Sequence, residues 1–300
     1  AFILPEYRRN EVLGFLRQPL SDLCISRPKA RLSWGIPLPF DPDYVAYVWV
    51  DALLNYWSAV HAQRWESGEE RWPATVHLIG KDILTTHCVY WTTLLQALGA
   101  PQPKHILAHG WWMKEGQRMS KTTGNVVDPI EVAKARGADV FRYYLMREMV
   151  VGQDGDYTEA GFAAVHNADL ANELGNLYSR THKLVEQHFA SAVPQCGPLG
   201  DADKKVRTGL EALFPAVEAE YRALRVDAAV KKVLAHLREL NRYIDASAPW
   251  KRIKTDPAGT ATVLYQLLDG LRAAALLLSP VMPTKMQKLL FIRCLRPDKL

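Results

Sequence analysis

"TVHLIGKDILTTHCVYWTTLLQALGAPQPKHILAHGWW", residues 75–112, decides the fold. It opens with a short apolar run, "TVHLIG" at 75–80, and passes through "THCVYWTTLLQALG", where Gly99 with Pro101 following is a helix stop. A second apolar run, "HILAHGWW" at 105–112, follows. Upstream, "YVAYVWV" at 44–50 reads as another strand, and "DALLNYWSAVHAQRW" at 51–65 as the helix after it. Strands of this length alternating with helices predict an α/β fold built on a parallel, doubly wound (Rossmann-like) sheet. Ligands of such sheets meet the carboxyl ends of the strands. Suspicion therefore falls on Asp51 after the first run, Gly80-Lys81-Asp82 after the second and His109-Gly110 after the third.

From about residue 130 the pattern changes. "ADLANELGNLYSRTHKLVEQHF" (168–189), "DAAVKKVLAHLRELNRYIDASAPW" (227–250) and "TATVLYQLLDGLRAAALLLSPVMP" (260–283) carry apolar residues at three- and four-residue spacing. "SAVPQCGPLGDAD" at 191–203 reads as a loop between the first two. An all-α helix bundle is expected to follow the sheet.

Composition is that of a soluble globular chain: 300 residues, 48% hydrophobic and 23% charged. The longest apolar run of the last helix, 273–278, is far shorter than the ~18 residues of a membrane span and fits a buried helix. Cys24, Cys88, Cys196 and Cys294 are scattered without a C-x-x-C pair, so no zinc ligands and no disulfide framework are expected, and a reducing cytoplasm fits. A net charge of +5 is compatible with a nucleic-acid partner without requiring one. The chain begins "AFILPEYRRNEVLGFL", with no initiator Met and no signal-peptide pattern, and is read as part of a longer polypeptide.

"GQRMSKTTGN", residues 116–125, gathers two cations, three hydroxyls and two glycines. Glycine permits tight turns, hydroxyls and bare amides donate hydrogen bonds, and lysine adds a mobile charge, which suits a phosphate-binding loop. The same residue types also make ordinary exposed turns. The spacing is not that of a Walker loop, and no G-x-G-x-x-G occurs in the chain.

Arg118-Met119-Ser120-Lys121-Thr122 resembles the second signature of the class I aminoacyl-tRNA synthetases, Lys-Met-Ser-Lys-Ser, with two conservative departures. "YVWVDALLNY", "HLIGKDILTTHCVYW", "HGWW", "MSKTTGNVVDP", "FRYYLMRE", "GQDGDYT", "NADLANELGNLYSR" and "APW" look like the methionyl-tRNA synthetases, in the expected order, over roughly residues 5–285. The family's first signature, of the His-Ile-Gly-His type, does not occur in this sequence. The resemblance therefore implies the C-terminal portion of a synthetase. It divides into the tail of a connective insertion (1–27), the second half of the nucleotide-binding catalytic domain (28–112), a stem-contact segment with the Met-Ser-Lys loop (113–165) and an anticodon-binding helix bundle (166–300).

The implied reaction joins methionine's carboxylate to the α-phosphate of ATP, which enters with Mg2+, and then passes the methionyl group to tRNA(Met). By resemblance Lys121 contacts the phosphates as charge builds on them, with Arg118 and Ser120 beside it, because prepositioned donors lower such a barrier. Gly80 and Asp82 are implied at the ATP ribose; capping of the helix that follows is the lesser alternative for Asp82, and one carboxylate could do both. Methionine is uncharged and carries a polarizable sulfur, so its pocket should be aromatic and apolar. Trp49, Ala52, Leu53, Tyr56, Ile83 and His87 match pocket positions, and Asp51 either faces the substrate amino group or caps the next helix. Without the resemblance these aromatics would read as core. Asn176, Arg180 and Trp250 match positions that read the anticodon, through stacking and base-edge hydrogen bonds; a solvated surface and a core tryptophan are the plain alternatives. The isolated chain is expected to bind tRNA weakly and to lack activation without an N-terminal half as partner. The rival functions are a class I synthetase for leucine, isoleucine, valine or cysteine, and a non-catalytic tRNA-binding module.

Overall fold

The computed structural model describes residues 1–62 and 71–291. Cys294, the rest of the segment after Phe291 and the last residues of the helix expected over 51–65 lie outside the described residues. The chain divides into two compact units, Ala1–Trp111 with Val151–Asp154, and Trp112–Val150 with Gly155 onward.

The first unit contains β1 (Ile3–Leu4), α1 (Glu6–Leu16), β2 (Ser26–Pro28), β3 (Pro37–Leu38), β4 (Asp41–Ala46), α2 (Val48–Ala62), β5 (Val76–Gly80), α3 (Trp91–Ala97) and β6 (His105–His109). β1, β6 and β5 form a parallel sheet in that order, with Ile3 opposite Ile106 and Ile79 opposite Ala108. Period-two alternation puts these residues on one face, where Val12 of α1, Leu84 and Cys88 bury them. Burial pushes the Cys88 thiol up to about 12, so it packs as an inert hydrophobe. α3 is closed by Leu98 at its C-cap and Gly99 just beyond, whose φ of 66° supplies the left-handed step that stops a helix.

One expectation is corrected here. Residues 44–50 are not one strand of the parallel sheet: β4 ends at Ala46 and pairs antiparallel with β2 and β3 in a separate small sheet, while Val48-Trp49-Val50 open α2. Trp49, Leu53, Trp57 and Val60 recur at helical spacing and pack on Trp72, Trp91 and Leu95, and that burial outweighs the β propensity of Val and Trp. Asp51 thus stands in the first turn of α2 rather than after a strand. Within residues 1–27, Ile3–Leu4 forms a strand of the parallel sheet; two residues are too few to show a period.

The second unit begins with β7 (Trp112–Lys114) and β8 (Gln117–Arg118), then α4 (Pro129–Arg136), α5 (Ala138–Glu148), β9 (Gly155–Tyr157) and α6 (Glu159–Val165). β7 and β8 are antiparallel across Glu115-Gly116, both at positive φ, the geometry of a two-residue hairpin turn. After α6 the chain runs on through a π-helical stretch, His166–Gly175, into α7 (Asn176–Phe189). α8 (Asp201–Arg222), α9 (Val226–Ser247), α10 (Pro249–Arg252), α11 (Pro257–Leu278) and α12 (Pro283–Leu290) complete it. Leu177, Val217, Leu237, Leu240, Ile244, Leu264, Leu267 and Leu271 form its core, each burial worth ~1.5–3 kcal/mol. α8 is an addition to the expected helices: the loop ends at Gly200, and Asp201–Asp203 already belong to the helix. α11 is the one described helix long and apolar enough to cross a membrane, and it is mostly buried inside this bundle, as the run 273–278 was expected to be.

Asp169 in the π-helical stretch is 1% exposed and accepts from the Tyr143 hydroxyl (3.1 Å) and Arg147 Nε (3.0 Å), with the Arg238 guanidinium 3.6 Å away. One buried carboxylate thereby ties α5, the π-helical stretch and α9 together.

Candidate functional site

In the first unit, aromatic rings converge where α2 packs on β5 and α3. The Tyr56 hydroxyl lies 3.2 Å from His87 Nε2, and His87 Nδ1 lies 3.1 Å from the Ile83 carbonyl oxygen. A carbonyl only accepts, so Nδ1 carries the proton and Nε2 accepts from Tyr56. Burial holds the His87 pKa below its ordinary value, against the upward pull of that carbonyl, which keeps the ring neutral at pH 7. The Trp49 ring meets His87 edge-on at 6.2 Å. Tyr56 also contacts His77 (4.5 Å between ring centres) and Trp91 (6.0 Å). The structure thus brings Trp49, Tyr56, Ile83 and His87 together. Leu53, 1% exposed, is committed to the core beside Trp91, while Asp51 and Ala52 are exposed on α2.

β5 delivers Gly80, Lys81 and Asp82 at its carboxyl end, as expected for a sheet of this kind. A side chain at Gly80 would meet Asp82 Oδ1 at 2.6 Å, so glycine lets the carboxylate fold back over the strand end. Asp82 is exposed and lies inside the short 3-10 turn Lys81–Ile83, whose N-cap position is held by Gly80. Lys81 Nζ pairs with Asp154 Oδ2 at 2.7 Å and lies 4.2 Å from the centre of the Trp111 ring, whose backbone N–H donates to Asp154 Oδ1 at 2.8 Å. The hydrogen bond from Lys81 comes first, and that from the Trp111 N–H second, in holding the Asp154 carboxyl below its ordinary range. At Gly110 a Cβ would fall 2.0 Å from the Gln153 carbonyl oxygen, so only glycine fits that strand end.

In the second unit, the loop after β8 is shaped by its own side chains. Asn125 Oδ1 accepts from the Ser120 N–H and the Thr123 hydroxyl, both at 2.8 Å, while Asn125 Nδ2 donates to the Arg118 carbonyl at 3.1 Å. Ser120 Oγ accepts from the Thr122 N–H at 3.3 Å, and Gly124 takes the left-handed step at φ 69°. Lys121 stands exposed at the loop's crest. Asn125 carried no role in the sequence reading; an Asn five residues after a Ser is a weak signal.

On the bundle, Arg180 donates to Asp245 Oδ1 at 2.6 Å and its guanidinium lies 5.0 Å from the centre of the Trp250 ring. Trp250 is 40% exposed, which removes the reading of it as a core residue. Asn176 lies one turn before Arg180 and is exposed. Among the described residues no group of three His, Cys, Asp or Glu side chains is placed to hold a metal ion.

A family model described as tRNA synthetases class I (M) matches residues 3–182, and one for the anticodon binding domain of methionyl tRNA ligase matches 193–297. A methionine–tRNA ligase of Rhizobium meliloti is 42% identical over 99% of this chain and 58% of its own length. One of Mycobacterium bovis is 41% identical over 96% of the chain and 56% of its own. Mycobacterium tuberculosis methionyl-tRNA synthetase in complex with methionyl-adenylate superposes with a TM-score of 0.90 at 40% identity, over 96% of this chain and 58% of that one. Its ligand-free form gives 0.87 at 38% identity.

Proposed function

This chain belongs to the class I methionyl-tRNA synthetase family, and we propose that it carries part of the machinery that activates methionine with ATP and transfers it to tRNA(Met). It spans 58% of the length of the curated relatives it matches first. The observation that carries the reading is the aromatic cluster: Tyr56 is held on His87, His87 on the Ile83 carbonyl, and Trp49 meets the His87 ring edge-on. Such walls suit a flexible thioether and offer no countercharge to a charged side chain.

Gly80 and Asp82 are the ribose site, with the Asp82 carboxylate accepting from sugar hydroxyls. Lys121, with Arg118 and Ser120 on the same loop, stabilises the negative charge that develops on the phosphates. The loop is held by Asn125, so its lysine needs no ordering of the backbone before it acts. Mg2+ arrives as the counter-ion of ATP, a substrate complex, and supplies further charge neutralisation. Asn176, Arg180 and Trp250 read the anticodon: Trp250 offers an exposed ring face, and Arg180 is already oriented by Asp245 and that ring. Residues 28–112 are assigned to the catalytic domain, 113–165 to stem contact and 166–300 to the anticodon bundle. An N-terminal half supplies the family's first signature, and the reaction belongs to the cytoplasm.

Methionine-dependent ATP–pyrophosphate exchange by the complete polypeptide carrying these 300 residues tests the reading. Exchange driven by methionine, and not by leucine, isoleucine, valine or cysteine, is the expected result. Exchange driven by one of those four instead, or by none, overturns it.

A further inference from the structure

His77 was no candidate in the sequence, yet it sits beneath the pocket. It lies on β5, three residues before Gly80, and is 5% exposed. Trp91 Nε1 donates to His77 Nε2 at 3.4 Å, the Tyr56 ring meets the imidazole edge-on at 4.5 Å, and Trp72 closes a third side at 6.1 Å. An indole nitrogen only donates, so Nε2 must accept and the imidazole proton sits on Nδ1. From these contacts, and resting on the reading of the aromatic pocket as the methionine site, we propose that His77 is a positioning residue: it satisfies the Trp91 indole and braces the Tyr56 ring so that the Tyr56 hydroxyl stays on His87.

Three observations support this beyond proximity. Trp91 is fully buried, so losing its acceptor would leave an unpaired donor that no solvent reaches. Among the described residues the titratable groups recorded against the His77 ring are Tyr56 from α2 and His87 from the helical segment after β5. Burial, with a smaller contribution from His87, pulls the His77 pKa down to about 4, so the acceptor lone pair persists across the neutral range.

The test compares His77→Leu with His77→Gln in the complete polypeptide, reading methionine affinity, ATP affinity and the indole N–H resonance of Trp91. Leucine keeps bulk and removes the acceptor, whereas a glutamine carbonyl can accept the indole N–H. We expect His77→Leu to weaken methionine about tenfold, to narrow the preference for methionine over leucine, to shift the Trp91 resonance and to leave ATP affinity within twofold. His77→Gln should recover most of the methionine affinity. Should His77→Leu fail to fold, His77→Asn, too short to reach the indole, is read against His77→Gln in the same way. Equal methionine affinity in wild type and the acceptor-lacking variant, equal losses for the acceptor-lacking variant and His77→Gln, or parallel losses of methionine and ATP affinity would each overturn the proposal. A wild-type protein that binds ATP and tRNA but no methionine would instead refute the functional reading, and this inference with it.

Discussion

Replacing Asp169 by alanine should destabilise the bundle by an amount the structure allows to be worked out. The carboxylate is 1% exposed and serves Tyr143, Arg147 and Arg238 at once. Its loss strands the Tyr143 hydroxyl, itself 1% exposed, at a desolvation cost of ~1–3 kcal/mol. Removing one partner of a buried ion pair costs ~3–5 kcal/mol in general. Here the lower end applies, because Arg147 keeps Glu148, Arg238 keeps Glu173, and both guanidinium groups reach solvent. The expected loss is therefore about 3 kcal/mol, with Asp169→Asn losing roughly half, since its amide oxygen still accepts from Tyr143. Urea unfolding followed by far-UV circular dichroism measures it: the midpoint should fall with the slope unchanged. A loss below about 1 kcal/mol for Asp169→Ala would show that the network stabilises little and that Tyr143 finds another acceptor.

Lys121→Ala in the complete polypeptide should slow methionine-dependent pyrophosphate exchange by ~100- to 1000-fold while ATP affinity changes little, because the contact strengthens only in the transition state; turnover within twofold of wild type would remove Lys121 from the chemistry. Trp250→Ala should raise the Michaelis constant for tRNA about tenfold, the scale of one lost stack, and leave exchange without tRNA unchanged; equal damage to both assays would mark a structural role. His77, held near 4 in the folded chain against 6.5 when unfolded, makes stability fully present above pH 6.5 and progressively lost as pH falls toward 4, by up to about 3 kcal/mol. Urea midpoints measured between pH 7 and 4 should fall less steeply in His77→Gln, and parallel slopes for the two proteins would refute the assignment.

The parts of the fold visible in the sequence are those where local pattern and tertiary burial agree. β5 and β6 are apolar runs bounded by glycine and proline, and the Gly99 stop needs only a left-handed residue. The α2 boundary is not legible locally because "YVAYVWV" satisfies a strand, and only Trp72 and Trp91, far along the chain, make its second half a helix. α8 is masked in the sequence although Val206, Leu210, Leu213, Val217 and Tyr221 recur at helical spacing, since the glycines and prolines of the preceding loop run directly into its start. At the site, motif residues could be named, but their partners could not. The Lys81–Asp154 pair joins positions 73 residues apart, and His77 is a lone histidine in an apolar strand until the fold sets Trp91 and Tyr56 against it. Asn125 was in plain view, yet its bracing of Arg118 and Ser120 exists only in three dimensions.

The π-helical stretch His166–Gly175 acts as a phase adjuster between two α-helical segments. Each α-helical residue turns the axis by about 100°, so the wider π turns set the azimuth at which α7 emerges. That azimuth points Arg180 at Asp245 and Trp250, while Asp169, within the same stretch, points at α5 and α9. Deleting a single residue between 166 and 175 with the π turns kept would rotate everything beyond it by about a quarter turn. Composition and the caps of α7 would survive almost intact, but Asn176 and Arg180 would be turned aside from Trp250. In this bundle the ability to present a recognition face is encoded as a count of residues as much as a choice of them.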